Sequence, residues 1–353
     1  MTAMKSNIIA PLTAAVLLGL FPLVVNNEYY MHLMILALMW VVIGSAWNLL
    51  AGYTGLVSFG DAAFFGTGAY TAGLVVNHWG WSAWWGVPLG GITALLLAFP
   101  FGWVCFRLRG AYFALATLAL NEVMRHTATI WESLTDGMVG IMILQTFYAP
   151  IDSPFGQLSA KTPYYYIIYA VAIVSVLSVI VVMRSKLGYY FLSIREDQDA
   201  AESLGIDTHL YKMICLCIAA ALTGVAGGFY MNYMGFIDPE TVFSLHDISI
   251  MAILVGIVGG VGTAYGPAVG AFVMVMFQEL FRTGGFGLMA ALAKSSGSGF
   301  LLSVSGYVTA AHVLTFGVLV VLVIRFMPNG IVGDWGRLTA YLGRKFSSSK
   351  AQG

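Results

Sequence analysis

Few residues in this 353-residue chain carry side chains that could do chemistry. Asn121, Glu122 and Arg125 stand close together, and at i, i+3 the last two meet on one helical face. A carboxylate and a guanidinium inside an apolar run are costly enough to count as a functional feature. They either neutralise each other as a structural pair or offer matching charges to a zwitterionic solute. Asp61 is the only charged residue between Tyr29 and Phe106, and it follows Asn48, Gly52, Tyr53, Gly55, Ser58, Phe59 and Gly60. Small residues of this kind either let helices pack closely or leave backbone carbonyls along a path for a polar solute. Cys105, Cys215 and Cys217 sit in apolar runs and the six histidines are scattered singly, so no metal-ligand set and no disulfide framework is expected. No cluster of nucleophile, base and metal ligand marks a catalytic centre, and no cofactor is implied. The chain contains no Gly-Lys pair, which excludes a Walker A phosphate loop.

The elements that must position these residues follow from composition. Hydrophobic residues make up 59% of the chain and charged residues 9%, too little charge to cover a water-soluble globule of this size. Lys+Arg and Asp+Glu both number 16, so there is no basic field for nucleic acid. About 20 apolar residues cross a bilayer as a helix. Such segments fall at 8–25, 30–50, 56–77, 84–106, 111–131, 164–183, 213–235, 247–261, 266–282 and 300–326. The expected fold is therefore all-α: one polytopic integral membrane domain over 1–353, with about ten transmembrane segments and broken Gly-rich helices. The break between 247–261 and 266–282 rests on glycines 256, 259, 260, 262 and 266 with Pro267, because backbone freed from a helix survives in a membrane only where protein shelters it. Ten crossings put 12 of the 16 positive residues on one side, which predicts cytoplasmic termini. The run at 8–25 lacks a small-x-small cleavage site and reads as an uncleaved first helix.

Residues 184–212 hold nine charges in 29 positions, the one sizeable aqueous segment inside the chain. Ser193 and Glu196 fit a capping box, and Gly205 stands where a left-handed residue would end the helix. Ala200 and Ala201 would leave a flat, small surface on it. Such a short helix is marginal alone in water, so it is either a solvated loop helix or docked against a partner.

The stretch Arg184 to Lys212 resembles the ATPase-coupling loop of ABC importer permeases for branched-chain amino acids, through its core at Ile194, Arg195, Glu196, Ala200, Ala201, Glu202, Leu204, Gly205 and Ile206. Further matches run in the family's order. They are N-L-L-A-G-Y-T-G-L-V-S-F-G from Asn48 to Gly60 with G-T-G-A-Y from Gly66 to Tyr70, L-R-G-A-Y-F-A-L-A-T-L from Leu108, T-D-G-M-V-G-I from Thr135, G-G-V-G-T-A-Y-G-P from Gly259, and R-F-M-P-N-G-I-V-G from Arg325. Each is a weak signal and their order is a strong one. Two positions depart from the family: Asp61 stands where a neutral polar residue such as Gln is usual, and Asp136 where Gly is usual.

The resemblance implies a bacterial inner-membrane permease subunit, the second of two, working with two cytosolic ATPase subunits and a periplasmic solute-binding protein that docks on outer loops 132–163 and 283–299. It would itself be no enzyme. It implies an ATPase-coupling role for Ser193, Arg195, Glu196, Ala200, Ala201, Glu202, Leu204 and Gly205. The translocation pathway would draw on Asn48, Gly52, Tyr53, Ser58, Phe59, Asp61, Asn121, Glu122 and Arg125. Alternating access would follow from the 193–206 helix acting as a lever on the helices around 52–73 and 247–282. A urea or short-amide permease would carry the same motifs. An ion-coupled secondary transporter or channel would instead use Asp61, Glu122 and Arg125 as coupling charges.

Overall fold

The computed structural model describes residues 9–25, 27–108, 110–143, 151–153, 156–279, 317, 325 and 329–333. The expected segment at 300–326 and the loop at 283–299 lie outside the described residues but for single positions, as do both chain ends.

The first five apolar runs form helices near their expected limits: α1 (Ile9–Val24), α2 (Glu28–Thr54), α3 (Asp61–Trp79), α4 (Ala83–Cys105) and α5 (Ala111–Ile130). A short α6 (Glu132–Thr135) and three two- or three-residue strands follow: β1 (Ile141–Met142), β2 (Ile151–Ser153) and β3 (Gly156–Leu158). Then come α7 (Thr162–Arg184), α8 (Lys186–Glu196), α9 (Gln198–Ser203), α10 (Thr208–Met234) and β4 (Phe236–Ile237). The described chain closes with α11 (Pro239–Val242), a π-helical turn (Leu245–Ile250), α12 (Met251–Gly259) and α13 (Gly266–Glu279). Five helical runs among the described residues are long and apolar enough to span a bilayer: 28–54, 83–105, 162–184, 208–234 and 239–259. This is an all-α membrane protein whose short strands are confined to connections. Antiparallel pairing of β1 with β4 ties the 132–143 connection to the end of α10.

One expected span changes and one expected break holds. Residues 55–60 are not helical, so the segment expected at 56–77 is an extended approach followed by α3 from Asp61. The Gly-rich break is where the glycines place it: α12 ends at Gly259, and α13 opens at Gly266.

Apolar on every face, α2 lies at the centre of the bundle with nearly all of its membrane-length stretch buried, as a helix without a polar face must. Around it pack α7, α10, α12 and α13. A second close-packed layer joins α3, α4 and α10. There a Cβ added at Gly68 would overlap the Gly224 carbonyl, and one at Gly227 would overlap the Phe65 carbonyl. Small residues let these backbones meet, which is how helices associate where lipid removes the hydrophobic drive between them. Trp79, Trp81 and Trp85 are exposed around the α3–α4 turn, and Trp103 carries the Arg107 guanidinium 5.4 Å from its ring centroid at the far end of α4. Such residues suit the two water–membrane interfaces.

Gly227→Val should therefore cost more than the roughly 1–3 kcal/mol usual for over-packing, because the obstacle is main chain and cannot rotate aside. Gly80→Ala, whose Cβ meets nothing within 4 Å, should cost about 1 kcal/mol from its positive φ alone. Melting of the detergent-solubilised protein compares the two, and equal midpoints would contradict the packing described.

Candidate functional site

Three breaks in the helices gather the polar residues. At the first, the main chain from 58 to 62 is stitched by Ser58 itself and by side chains from elsewhere. Trp47 Nε1 donates to the Ser58 carbonyl (3.1 Å), the Phe59 N–H to Thr117 Oγ1 (3.0 Å), the Gly60 N–H to Ser58 Oγ (3.0 Å) and the Ala62 N–H to Ser249 Oγ (3.0 Å). Asp61 opens α3 here, 4% exposed, in the first turn where the helix dipole favours an acid. Its Oδ2 has no hydrogen-bond partner among the described residues. Tyr53 is buried one residue before the end of α2.

At the second break, the turn 260–265 is pinned to α2. Asn48 Oδ1 accepts from the Gly262 N–H (2.7 Å) while its Nδ2 donates to the Thr263 carbonyl (2.9 Å). One helical turn further along α2, the Gly52 carbonyl belongs to the last four of the helix, which have no intrahelical donor. Arg195 Nη1 supplies one at 2.9 Å, a cation at a helix C-terminus. Glu196 holds the same guanidinium through Nη2 (2.9 Å). Asn48, Gly52, Arg195 and the 260–265 turn thus form one junction between the charged segment and the bundle.

That segment differs from the single capped helix expected. Ser193 lies inside α8 and its hydroxyl donates back to the Tyr190 carbonyl (2.9 Å), so it caps nothing. The break falls at Asp197, whose carboxylate accepts from the Asp199 and Ala200 N–H groups and starts α9. An aspartate beside the break outcompetes a serine four residues earlier because the chain turns there. Gly205 does adopt φ +86° and closes α9, with its N–H on the Glu202 carbonyl and the Ile206 N–H on the Ala201 carbonyl. The expected flat surface divides: Ala201 is buried, Ala200 is exposed, and Leu204 is 83% exposed. Glu202 accepts from Gln198 (2.8 Å) and Thr208 (2.5 Å), and Lys212 donates to Gln198 (2.5 Å), which fastens α9 to α10.

The third site lies along α5. Arg125 and Glu122 form the expected i, i+3 pair (2.8 Å), and a third member joins them: Glu240 of α11, 2.5 Å from the other guanidinium nitrogen. One turn earlier, Asn121 Nδ2 donates to the Phe243 carbonyl (3.0 Å). Nothing in sequence links positions 125 and 240, or 48 and 263. Asp136 takes φ +55°, the one left-handed non-glycine among the described residues, at a position where glycine is usual in the family the chain resembles.

Comparison with known proteins agrees with this framework. Residues 29–324 match the family model described as "Branched-chain amino acid transport system / permease component". The chain is 28% identical over 266 residues to the high-affinity branched-chain amino acid transport system permease proteins LivM of Escherichia coli and Salmonella typhimurium, covering 70% of this chain and 62% of each relative. It is 25% identical over 230 residues to the probable branched-chain amino acid transport permease protein LivH of Methanocaldococcus jannaschii, covering 65% of this chain and 66% of that one. The chain thus spans about three fifths of the length of the first two relatives. No solved structure matches it significantly.

Because Arg125 serves two carboxylates, Arg125→Ala should destabilise the protein more than Glu122→Gln or Glu240→Gln, by roughly 1–3 kcal/mol, between the values for exposed and buried pairs. Reversing only Glu122 and Arg125 should not restore stability, since position 125 would then repel Glu240. Adding Glu240→Arg should restore it. Full recovery in the double reversal alone would show that Glu240 is not part of the cluster.

Proposed function

The chain belongs to the family of branched-chain amino acid transport permease components, and from that premise we propose that it is a membrane-spanning subunit of an ATP-driven importer for leucine, isoleucine and valine. Its partners are a second permease subunit, two cytosolic ATPases and a periplasmic binding protein, in a bacterial inner membrane. It crosses the membrane ten times with both termini in the cytoplasm, and the bias of Lys and Arg supports this orientation. Lacking a phosphate-binding motif, it takes its energy from the ATPases.

The observation that carries this reading is the junction at Arg195. A charged segment outside the bundle is bonded to the end of the central helix, and one turn along that helix Asn48 holds the turn between α12 and α13. Displacement of α8 and α9 by an ATPase pulls on Gly52, and through Asn48 on the broken helix pair. Two packings of such an element suffice for alternating access. The exposed Leu204 is the apolar anchor on the ATPase side, and Ala200 lies beside it.

Reconstitution with the two ATPases, the second permease and the binding protein tests the function. ATP-dependent uptake of labelled leucine, isoleucine and valine is expected. Uptake of urea alone would reassign the substrate, and transport by the purified chain without ATPases would reassign the class. Leu204→Asp should leave the fold intact and abolish co-purification with the ATPases, because it places a charge at a dry contact. Gly205→Val should weaken the same association by imposing about 1–2 kcal/mol on a left-handed position that has free space around it. Normal association in both variants would return α9 to a solvated loop. Arg195→Ala should keep ATPase binding and lose uptake.

A further inference from the structure

Phe243 lies where α11 gives way to the π-helical turn, and its carbonyl and its ring are both held by other helices. Its carbonyl accepts from Asn121 Nδ2 at 3.0 Å. The ring is buried, stacks on Tyr70 with centroids 5.7 Å apart and planes at 16°, and fills a notch on α3 that exists only because residue 66 is glycine: a Cβ there would overlap the ring edge. Asn121 Oδ1 and the Tyr70 hydroxyl are buried and have no hydrogen-bond partner among the described residues. Buried polar groups normally have partners, so two beside one aromatic ring call for a ligand of matching polarity.

We propose that this crevice between α3 and α5 is a solute site for an aliphatic amino acid, and that Phe243 occupies it as a plug in the closed state. The Asn121 amide donates to the solute carboxylate as it now does to the Phe243 carbonyl. Asn121 Oδ1 and the Tyr70 oxygen accept from the ammonium group. The Gly66 notch takes the apolar side chain. The groups assigned to the solute, Asn121 and Tyr70, are neutral, which suits a zwitterion without net charge. The plug is mounted to move: Arg125 to Glu240 is a clamp on the same short segment, and a π-helical turn, a common mark of functional sites, follows directly. The assignment rests on the transport reading above and adds to it the place where the solute is held.

The test uses the full chain with its second permease in lipid nanodiscs, without ATPase or binding protein, and measures saturable binding of labelled leucine. Phe243→Ala should raise leucine affinity at least ten-fold over the wild-type pair. In that background, Asn121→Leu or Gly66→Leu should abolish the gain, the first by removing the amide and the second by filling the notch. If the alanine variant does not fold, Phe243→Leu keeps an apolar but shorter plug and should give a smaller gain with the same dependence on Asn121. Unchanged affinity in a folded plug variant, or a gain that survives loss of the Asn121 amide, overturns the site. Wild-type uptake by the complete importer is measured in parallel. Normal leucine uptake alongside a failed binding test removes only this site, whereas absence of any aliphatic amino acid uptake removes the transport reading itself.

Discussion

A peptide group that leaves a helix inside an apolar layer has no water to turn to, and each unsatisfied N–H or C=O there costs several kcal/mol. In this protein the chain leaves helical form at 55–60, at 260–265 and around 238–250, and each time side chains from distant segments take over the bonding. Trp47, Thr117 and Ser249, with the local Ser58, serve the first break, and Arg195 caps the helix end that leads into it; Asn48 serves the second and Asn121 the third. Asn48, Ser58, Thr117, Asn121 and Ser249, all buried, are given over to this task. Their placement follows the breaks rather than the helices.

The same bonds make the breaks able to work. A helix moves as a rod, but a turn held by two side-chain hydrogen bonds can change partners at modest energy, since each such bond contributes about 1 kcal/mol net. Asn48 and Gly52 stand one turn apart on α2, so the 260–265 turn and the Arg195 guanidinium act on adjacent points of one buried helix. On α5 the spacing repeats, with Asn121 and Arg125 gripping Phe243 and Glu240 of one short segment. Both use an i, i+4 pair on a continuous helix: on α5 the pair holds one short segment, and on α2 it joins the 260–265 turn to α8. Between them the glycine-mediated packing of α3, α4 and α10 forms a body with little room to deform.

The charged segment shows how a local signal can be right in one half and wrong in the other. Gly205 ends its helix in the left-handed conformation that its type and position imply. Ser193 with Glu196 has the pattern of a cap, yet α8 runs through Ser193 because its apolar residues Phe191 and Ile194 are buried against the bundle, and burial outweighs the roughly 1 kcal/mol of a cap. The helix then breaks at Asp197, and α9 buries Ala201 while presenting Leu204 outward. Faces of a six-residue helix are set by its neighbours, so no periodicity could have assigned them.

Length and hydropathy by themselves determined the helical membrane class, the limits of most long helices and the glycine break before Pro267, because a bilayer imposes one length and one polarity on whatever crosses it. The i, i+3 spacing likewise determined that Glu122 and Arg125 would meet, since both lie on one helix. Tertiary structure alone decided that Glu240 completes that cluster, that Asn48 bonds Gly262 and Thr263, that Arg195 reaches Gly52, and that Phe243 fills the Gly66 notch. Those contacts join residues more than 100 positions apart. Neither composition nor period encodes them, because they depend on how whole helices cross and on which main-chain groups the breaks leave in need of a partner.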